Sequence, residues 1–314
     1  MNWVVPLLFL DDICGQLKFP SLWSASKLSE SWSTIGPEHR QKRREFEFSC
    51  NVNKHEDGFY SFKKCSGFRS FSGEVRELDL IYDRITSVGI GHEYSKITLV
   101  SFDQLQRIVL PTVASLLVDC SWPNLLDARP PNSHELEGLF FNAFEYYPGF
   151  KEIHARGHKL EPSFISQQLA FGNVQTLYLQ DFASTTWPHP EQLARTLTAF
   201  VRSARFRKLY VCSGVPNDLE LVELFVERAM AGELKERAHI EIEDITFEKS
   251  QLRALHPEHL EDPEELKIPN SKLNERVHAS ILKMDESINS PRCVKLTVLQ
   301  YPPQREYSPL TWLT

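Results

Sequence analysis

The sequence predicts a mixed α+β or α/β chain: a short N-terminal helical hairpin over residues 1–44, then an α/β solenoid with parallel strands over residues 45–314. Three observations predict it. Apolar residues recur at helical spacing up to residue 35, and the period drops to two after a basic run at 39–44. From residue 174 onward, short aliphatic strands return about every 32 residues with amphipathic segments between them, the mark of stacked repeats.

The hairpin comes first. Leu7, Leu10, Ile13, Cys14 and Leu17 line one helical face, and Pro6 sits where a first-turn proline fits, since its missing N–H has no partner there anyway. Leu22, Ala25, Leu28, Trp32 and Ile35 make a second stripe, separated from the first by Lys18 to Pro20. Beyond Arg44, Phe46, Phe48, Cys50 and Val52 alternate with polar neighbours. A second alternating run at Phe59 to Phe62 follows an Asp57-Gly58 turn signal, so the two read as a strand pair.

Further strands are expected at 75–81, 96–100, 114–119, 150–155, 174–179, 207–211, 239–243 and 294–299, most of them β-branched or Leu-rich with period-2 alternation. Helical stripes fall at Leu136 to Tyr147, with Ser133 as N-cap, and at Phe164 to Leu169. Others fall at Leu193 to Val201 and at Leu221 to Ala229, the latter capped by Asn217 or Asp218 and stopped by Gly232. Leu273, Val277, Ile281 and Met284 suggest a last helix. Leu177-Tyr178-Leu179 and Leu209-Tyr210-Val211 look like the strand halves of leucine-rich-repeat-like units, although the inward asparagine of regular repeats is missing. A compact doubly wound sheet is the competing architecture.

Composition narrows the function. With 35 basic against 42 acidic side chains and a net charge of −7, the chain lacks the cationic excess that coating nucleic acid requires. There is no run of 18 apolar residues to span a membrane. The opening MNWVVPLLFL has neither the basic start nor the small-residue cleavage site of a secretory signal. Six scattered cysteines without a CxxC pair read as reduced thiols of an intracellular protein, cytoplasmic or nuclear. The basic run at 39–44 is either a solvated helix end or a nuclear address.

Catalytic motifs are missing: no phosphate-binding glycine loop, nucleophile elbow, zinc-protease helix or calcium loop occurs. His154 and His158 lose their helical spacing across Gly157, and His256 and His259 have no further ligand at suitable spacing, so no metal site is expected. The acidic groups near 241–244 and 258–265 read as solvated faces rather than paired general acids and bases. The expectation is a non-enzymatic chain that takes no cofactor. Aromatics are plentiful, with 20 Phe, 9 Tyr and 6 Trp. Tyr82, Tyr178 and Tyr210 fall on or just after strands, where tyrosines serve protein interfaces well. The alternative is that Tyr178 and Tyr210 simply point between strand and helix.

The N-terminal residues also resemble an F-box. That pattern pairs an apolar residue with proline, continues through a helix with Ile and Leu on one face, and ends in a helix carrying Ser, a basic residue and Trp. Here these are Val5-Pro6, Ile13, Leu17 and Ala25-Ser26-Lys27-Leu28-Ser29-Glu30-Ser31-Trp32. The whole chain is similar to the large nematode families of F-box-like proteins, in which such a start runs into divergent leucine-rich-repeat-like units. The resemblance implies a substrate-recruiting adaptor of a Skp-cullin-F-box ubiquitin ligase. Val5, Pro6, Phe9, Ile13, Leu17, Leu28 and Trp32 would face a Skp-type protein, and the repeat body would hold an unknown protein substrate. The other reading makes the hairpin a cap on the solenoid, which stacked repeats need.

Overall fold

The structure is a computed structural model. It describes residues 10–117 apart from 12, 15, 16, 18, 29, 53–57, 66–69, 72, 73 and 91–96, then residues 134–156, 162–180, 190–212 and 218–247 apart from 236, 244 and 246. It also describes 265–269, 275–280 and 293–300. The chain is a mixed α/β fold with parallel strands in its sheets, and it forms two compact units, residues 1–179 and 180–314.

The first unit opens with helical residues Leu10, Asp11, Ile13 and Cys14, followed by α1 (Phe19–Ala25) and α2 (Glu30–Lys42). The expected single stripe from 22 to 35 is therefore broken. Ser26 Oγ donates to the Trp23 carbonyl at 2.8 Å, and the Leu28 N–H turns back to Ala25 O at 3.0 Å, so local bonds end the helix there. Leu10, Cys14, Leu22 and Ile35 form a small buried core, with Leu17 and Trp32 packed against it. Gly36 lets α1 and α2 meet closely, since a Cβ there would lie 3.2 Å from Leu22 O.

Strand β1 (Arg44–Val52) pairs antiparallel with β2 (Gly58–Lys64), placing Phe48 opposite Phe62 and Cys50 opposite Tyr60. This is the expected strand pair. Strands β3 (Ser70–Phe71) and β5 (Thr98–Val100) also pair with β2, while β4 (Asp83–Ile90) runs parallel to β1. Phe46, Phe48, Tyr60 and Phe62 are buried, with ring centroids 5.4–6.2 Å apart. The Tyr60 hydroxyl accepts the Val75 N–H at 2.9 Å, which satisfies the polar end of a buried ring.

Two strand expectations fail in this unit. Residues 75–81 form a 3-10 turn at Val75–Glu77 and a turn ending at Tyr82, and the strand begins only at Asp83. Residues 114–117, the described part of the strand expected at 114–119, do not begin a strand either. Helix α3 (Phe102–Gln104), a π-helical turn (Leu105–Val109) and α4 (Leu110–Ser115) run on end to end, and Leu117 makes only a bridge to Ile85. Leu105, Val109, Leu110, Val113 and Leu116 are buried at helical spacing, and Ser101 starts the run with a capping box to Gln104.

The rest of the unit holds α5 (His134–Phe144), β6 (Glu152–Arg156), α6 (Pro162–Ala170) and β7 (Thr176–Gln180), with β6 and β7 adjacent. Phe140, Phe141, Phe144, Phe150 and Phe164 are packed rings, neighbouring pairs lying 4.8–6.4 Å apart. The proposed cap Ser133 lies outside the described residues.

The second unit carries α7 (Pro190–Arg202), β8 (Lys208–Val211), α8 (Asp218–Met230) and β9 (His239–Glu243), then β10 (Glu265–Pro269), β11 (Glu275–Ser280) and β12 (Cys293–Gln300). Phe206 bridges Phe200 of α7 and Phe225 of α8 at 5.2 and 6.1 Å. Gly232 closes α8 with φ +70°, a conformation that glycine adopts without cost. Asn217 is outside the described residues, whereas Asp218 Oδ1 accepts the Leu219 N–H.

These strands lie in the order β8-β9-β12-β11-β10. β8 and β9 are parallel, as the repeat reading requires, but β9–β12, β12–β11 and β11–β10 are all antiparallel. The parallel array thus ends at β9, and the helix expected at 273–284 is corrected to strand β11, which gains ladder bonds on both edges. The five-strand sheet around β1 is likewise mixed: β1–β4 is a parallel pair, whereas β1–β2, β2–β3 and β2–β5 are antiparallel.

Candidate interaction surfaces

Alternation divides the strands of the second unit into two faces. Leu209 and Val211, Ile240 and Ile242, and Val294, Leu296 and Val298 are buried on one side. The register aligns Leu209 with Ile240 and Leu296, and Val211 with Ile242 and Val294, so the core is built from apolar rows. The other side carries Lys208, Tyr210, His239, Glu241, Glu243, Lys295 and Thr297, with all but the exposed Lys208 half-buried.

Those polar residues are also in rows. Lys208, His239 and Thr297 stand in line, and Tyr210, Glu241 and Lys295 form the next row. His239 Nδ1 lies 2.7 Å from Thr297 Oγ1 and Nε2 lies 3.1 Å from Glu241 Oε2. The same carboxylate oxygen is 3.1 Å from Lys295 Nζ. Tyr210 reaches diagonally and donates its hydroxyl to Glu243 Oε1 at 2.6 Å. Burial, then the adjacent Glu243 carboxylate, push the Tyr210 phenol above its ordinary value. Burial pulls His239 below its ordinary 6.5, against the opposing pull of Glu241 and with help from Lys295 and Lys208. The imidazole is therefore neutral at pH 7, and its contact with Glu241 is a hydrogen bond rather than an ion pair.

Tyr178 occupies the half-buried face of β7, and its ring lies 4.2 Å from that of His154 on β6, whose Nε2 is 3.5 Å from Glu152. Tyr178 and Tyr210 accordingly both stand on strand faces away from the buried rows. Tyr82 differs from them. It ends the turn before β4 and is tied to α2: its hydroxyl donates to Glu38 Oε1 at 2.9 Å, Lys42 Nζ lies 4.8 Å over its ring, and its ring meets the edge of His39 at 5.1 Å. It belongs with the N-terminal helices.

In those helices, Ile13, Leu17 and Trp32 are half-buried, Leu17 and Trp32 against the module's own core. Leu28 is 69% exposed and Trp23, beside it at the α1–α2 corner, is 52% exposed with Lys27 Nζ 3.2 Å over its ring. A groove of about 290 Å³ between the two helices is lined by Leu22, Ser26, Pro37, Arg40 and Gln41. Val5, Pro6 and Phe9 lie outside the described residues.

Two buried cationic or titratable side chains fasten this module. Arg43 donates to Cys14 O at 2.8 Å and to Leu17 O, closing the carbonyl end of the first helical segment. Burial lowers its guanidinium to about 10, which leaves it charged at neutral pH. His39, fully buried, places Nε2 2.7 Å from Asp11 Oδ1. Neither contact was visible in the sequence, since the partners are 26 to 29 residues apart.

No group of three or more His, Cys, Asp or Glu placed to hold a metal occurs among the described residues, and His158, His256 and His259 lie outside them. No helix among the described residues is long and apolar enough to cross a membrane. The chain matches no family model and no curated protein sequence.

Proposed function

We propose that this protein is a substrate-recruiting adaptor of a Skp-cullin-F-box ubiquitin ligase, working in cytoplasm or nucleus. The N-terminal helices hold a Skp-type protein. The body, read as divergent leucine-rich-repeat-like units, offers the strand tyrosines Tyr178 and Tyr210 to a protein target. One observation carries the reading: Leu28 and Trp23 remain exposed, while among the described residues the helical core is formed by Leu10, Cys14, Leu22 and Ile35 with Leu17 and Trp32 against it. Large apolar side chains exposed together on a small helical segment favour a partner.

A second reading, in which the helices cap the body as a vestigial F-box, draws on Tyr82 and Arg44. Tyr82 ties the turn before β4 to Glu38 of α2, and Arg44 at the start of β1 pairs with Asp83.

Co-purification with a Skp-type protein and a cullin separates the two readings. The chain as it stands should bind, and Leu28→Asp with Trp23→Ser should lose binding while circular dichroism stays unchanged. A further variant with polar residues at Pro6, Ile13 and Leu17 should also fail to bind. No binding by the unaltered chain would leave the capping role.

A further inference from the structure

The geometry points to Thr297 as an activated hydroxyl, with His239 as its base and Glu241 as the residue positioning that base, able to accept an acyl group from an activated ester. This inference stands apart from the adaptor reading, and loss of Skp binding would leave it untouched.

The arrangement follows from register. Thr297 on β12 is directly opposite His239 on β9, and Glu241 is two residues along on the same face. One hydroxyl 2.7 Å from Nδ1 and one carboxylate 3.1 Å from Nε2 engage both ring nitrogens. An ionised carboxylate only accepts, so Nε2 carries the proton and donates to Glu241, and the Nδ1 lone pair faces the Thr297 O–H. A nucleophile, a base within hydrogen-bond reach and a third group fixing the base's tautomer are the parts required for hydroxyl activation.

The charged and titratable groups facing the imidazole are Lys208 and Tyr210 from β8, Glu241 and Glu243 from its own strand, and Lys295 from β12. Lys208 stands opposite His239, and both lysines disfavour the imidazolium, which keeps the base in its working form. The side-chain exposures of His239 and Glu241, 17% and 19%, leave the pair reachable from solvent.

The step balances without any redox partner. Thr297 Oγ1 forms a bond to the acyl carbon as its proton passes to His239 Nδ1. The bond from acyl carbon to the leaving oxygen then breaks, that oxygen takes the proton from His239, and the alcohol or phenol departs, leaving an acyl-threonine ester.

The test uses the full chain and p-nitrophenyl acetate. One acetyl group should appear in the intact mass and map to Thr297, on the native chain and on Thr297→Ser, and should be absent from Thr297→Val, which keeps the β-branched shape. His239→Gln should slow labelling by about 100-fold or more, and Glu241→Gln should move the midpoint of the rate's pH profile. Acetylation confined to lysines, or a folded His239→Gln that labels Thr297 at the native rate, would overturn the assignment. Should a variant fail to fold, the mapped position on the native chain and on Thr297→Ser still decides.

Discussion

Arg44 and Asp83 face each other across the parallel pair β1–β4, with guanidinium-to-carboxylate bonds of 2.6 and 2.5 Å, and the Asp83 side chain is fully buried. The same carboxylate accepts the Asp79 N–H at 2.7 Å, while Asp79 Oδ1 holds the N–H groups of Ile81 and Tyr82. One ion pair therefore sets both the start of β4 and the turn that delivers Tyr82 to α2. Arg44→Met would strand a buried charge. Because Arg44 is a third exposed, solvent screens part of the loss, and the expected cost is about 2–3 kcal/mol in urea unfolding.

Arg43→Met tests the fastening of the first helical segment. The carbonyls of Cys14 and Leu17 lose their donor, at a cost of about 1–3 kcal/mol. Hydrogen exchange should accelerate first at the Leu17 amide, which bonds Ile13 O and Cys14 O, while the amides of β1 and β2 keep their protection.

Gly36→Val probes the helix crossing. Glycine inside a helix is ordinarily improved by adding a side chain, but here the new Cβ meets Leu22 O at 3.2 Å and Ser26 Cβ at 3.3 Å. Backbone on one side cannot yield, so the expected change is a destabilisation of about 1–3 kcal/mol, read from denaturant midpoints.

The His239 imidazole gives stability a pH dependence of known sign. Its folded value lies below the unfolded 6.5, so the unfolded chain binds the proton more readily. The contribution is complete above pH 6.5 and is lost as pH falls through the lower folded value. Urea unfolding at stepped pH from 7.5 to 5 should show this fall, and His239→Gln should flatten it.

Much of the fold was legible where one face of an element is wet. The β1–β2 pair, the strands β7, β8 and β9 and the stripes of α7 and α8 all show the period that burial on one side imposes. β4 was missed because seven of its eight residues, including Asp83, Arg84 and Ser87, are buried, and a strand covered on both sides has no alternation to read. Residues 273–284 carried a helical spacing that the pairing of β11 with β10 and β12 overrode. The site was half visible: alternation puts His239, Glu241 and Glu243 on one face. Thr297, 58 residues further on, joins them only because β12 inserts antiparallel beside β9, which no local pattern announces.

That insertion also orders events in time. β12 is made after β10 and β11, yet it is the strand that joins them to β9. On a ribosome, β8 and β9 emerge with an unfilled edge and β10–β11 with another, and neither can be completed until residues 293–300 have cleared the exit tunnel. The interval leaves bare strand edges open to wrong partners. Synthesis paused before residue 293 should therefore leave a chain that depends on chaperones, whereas release after residue 300 should not.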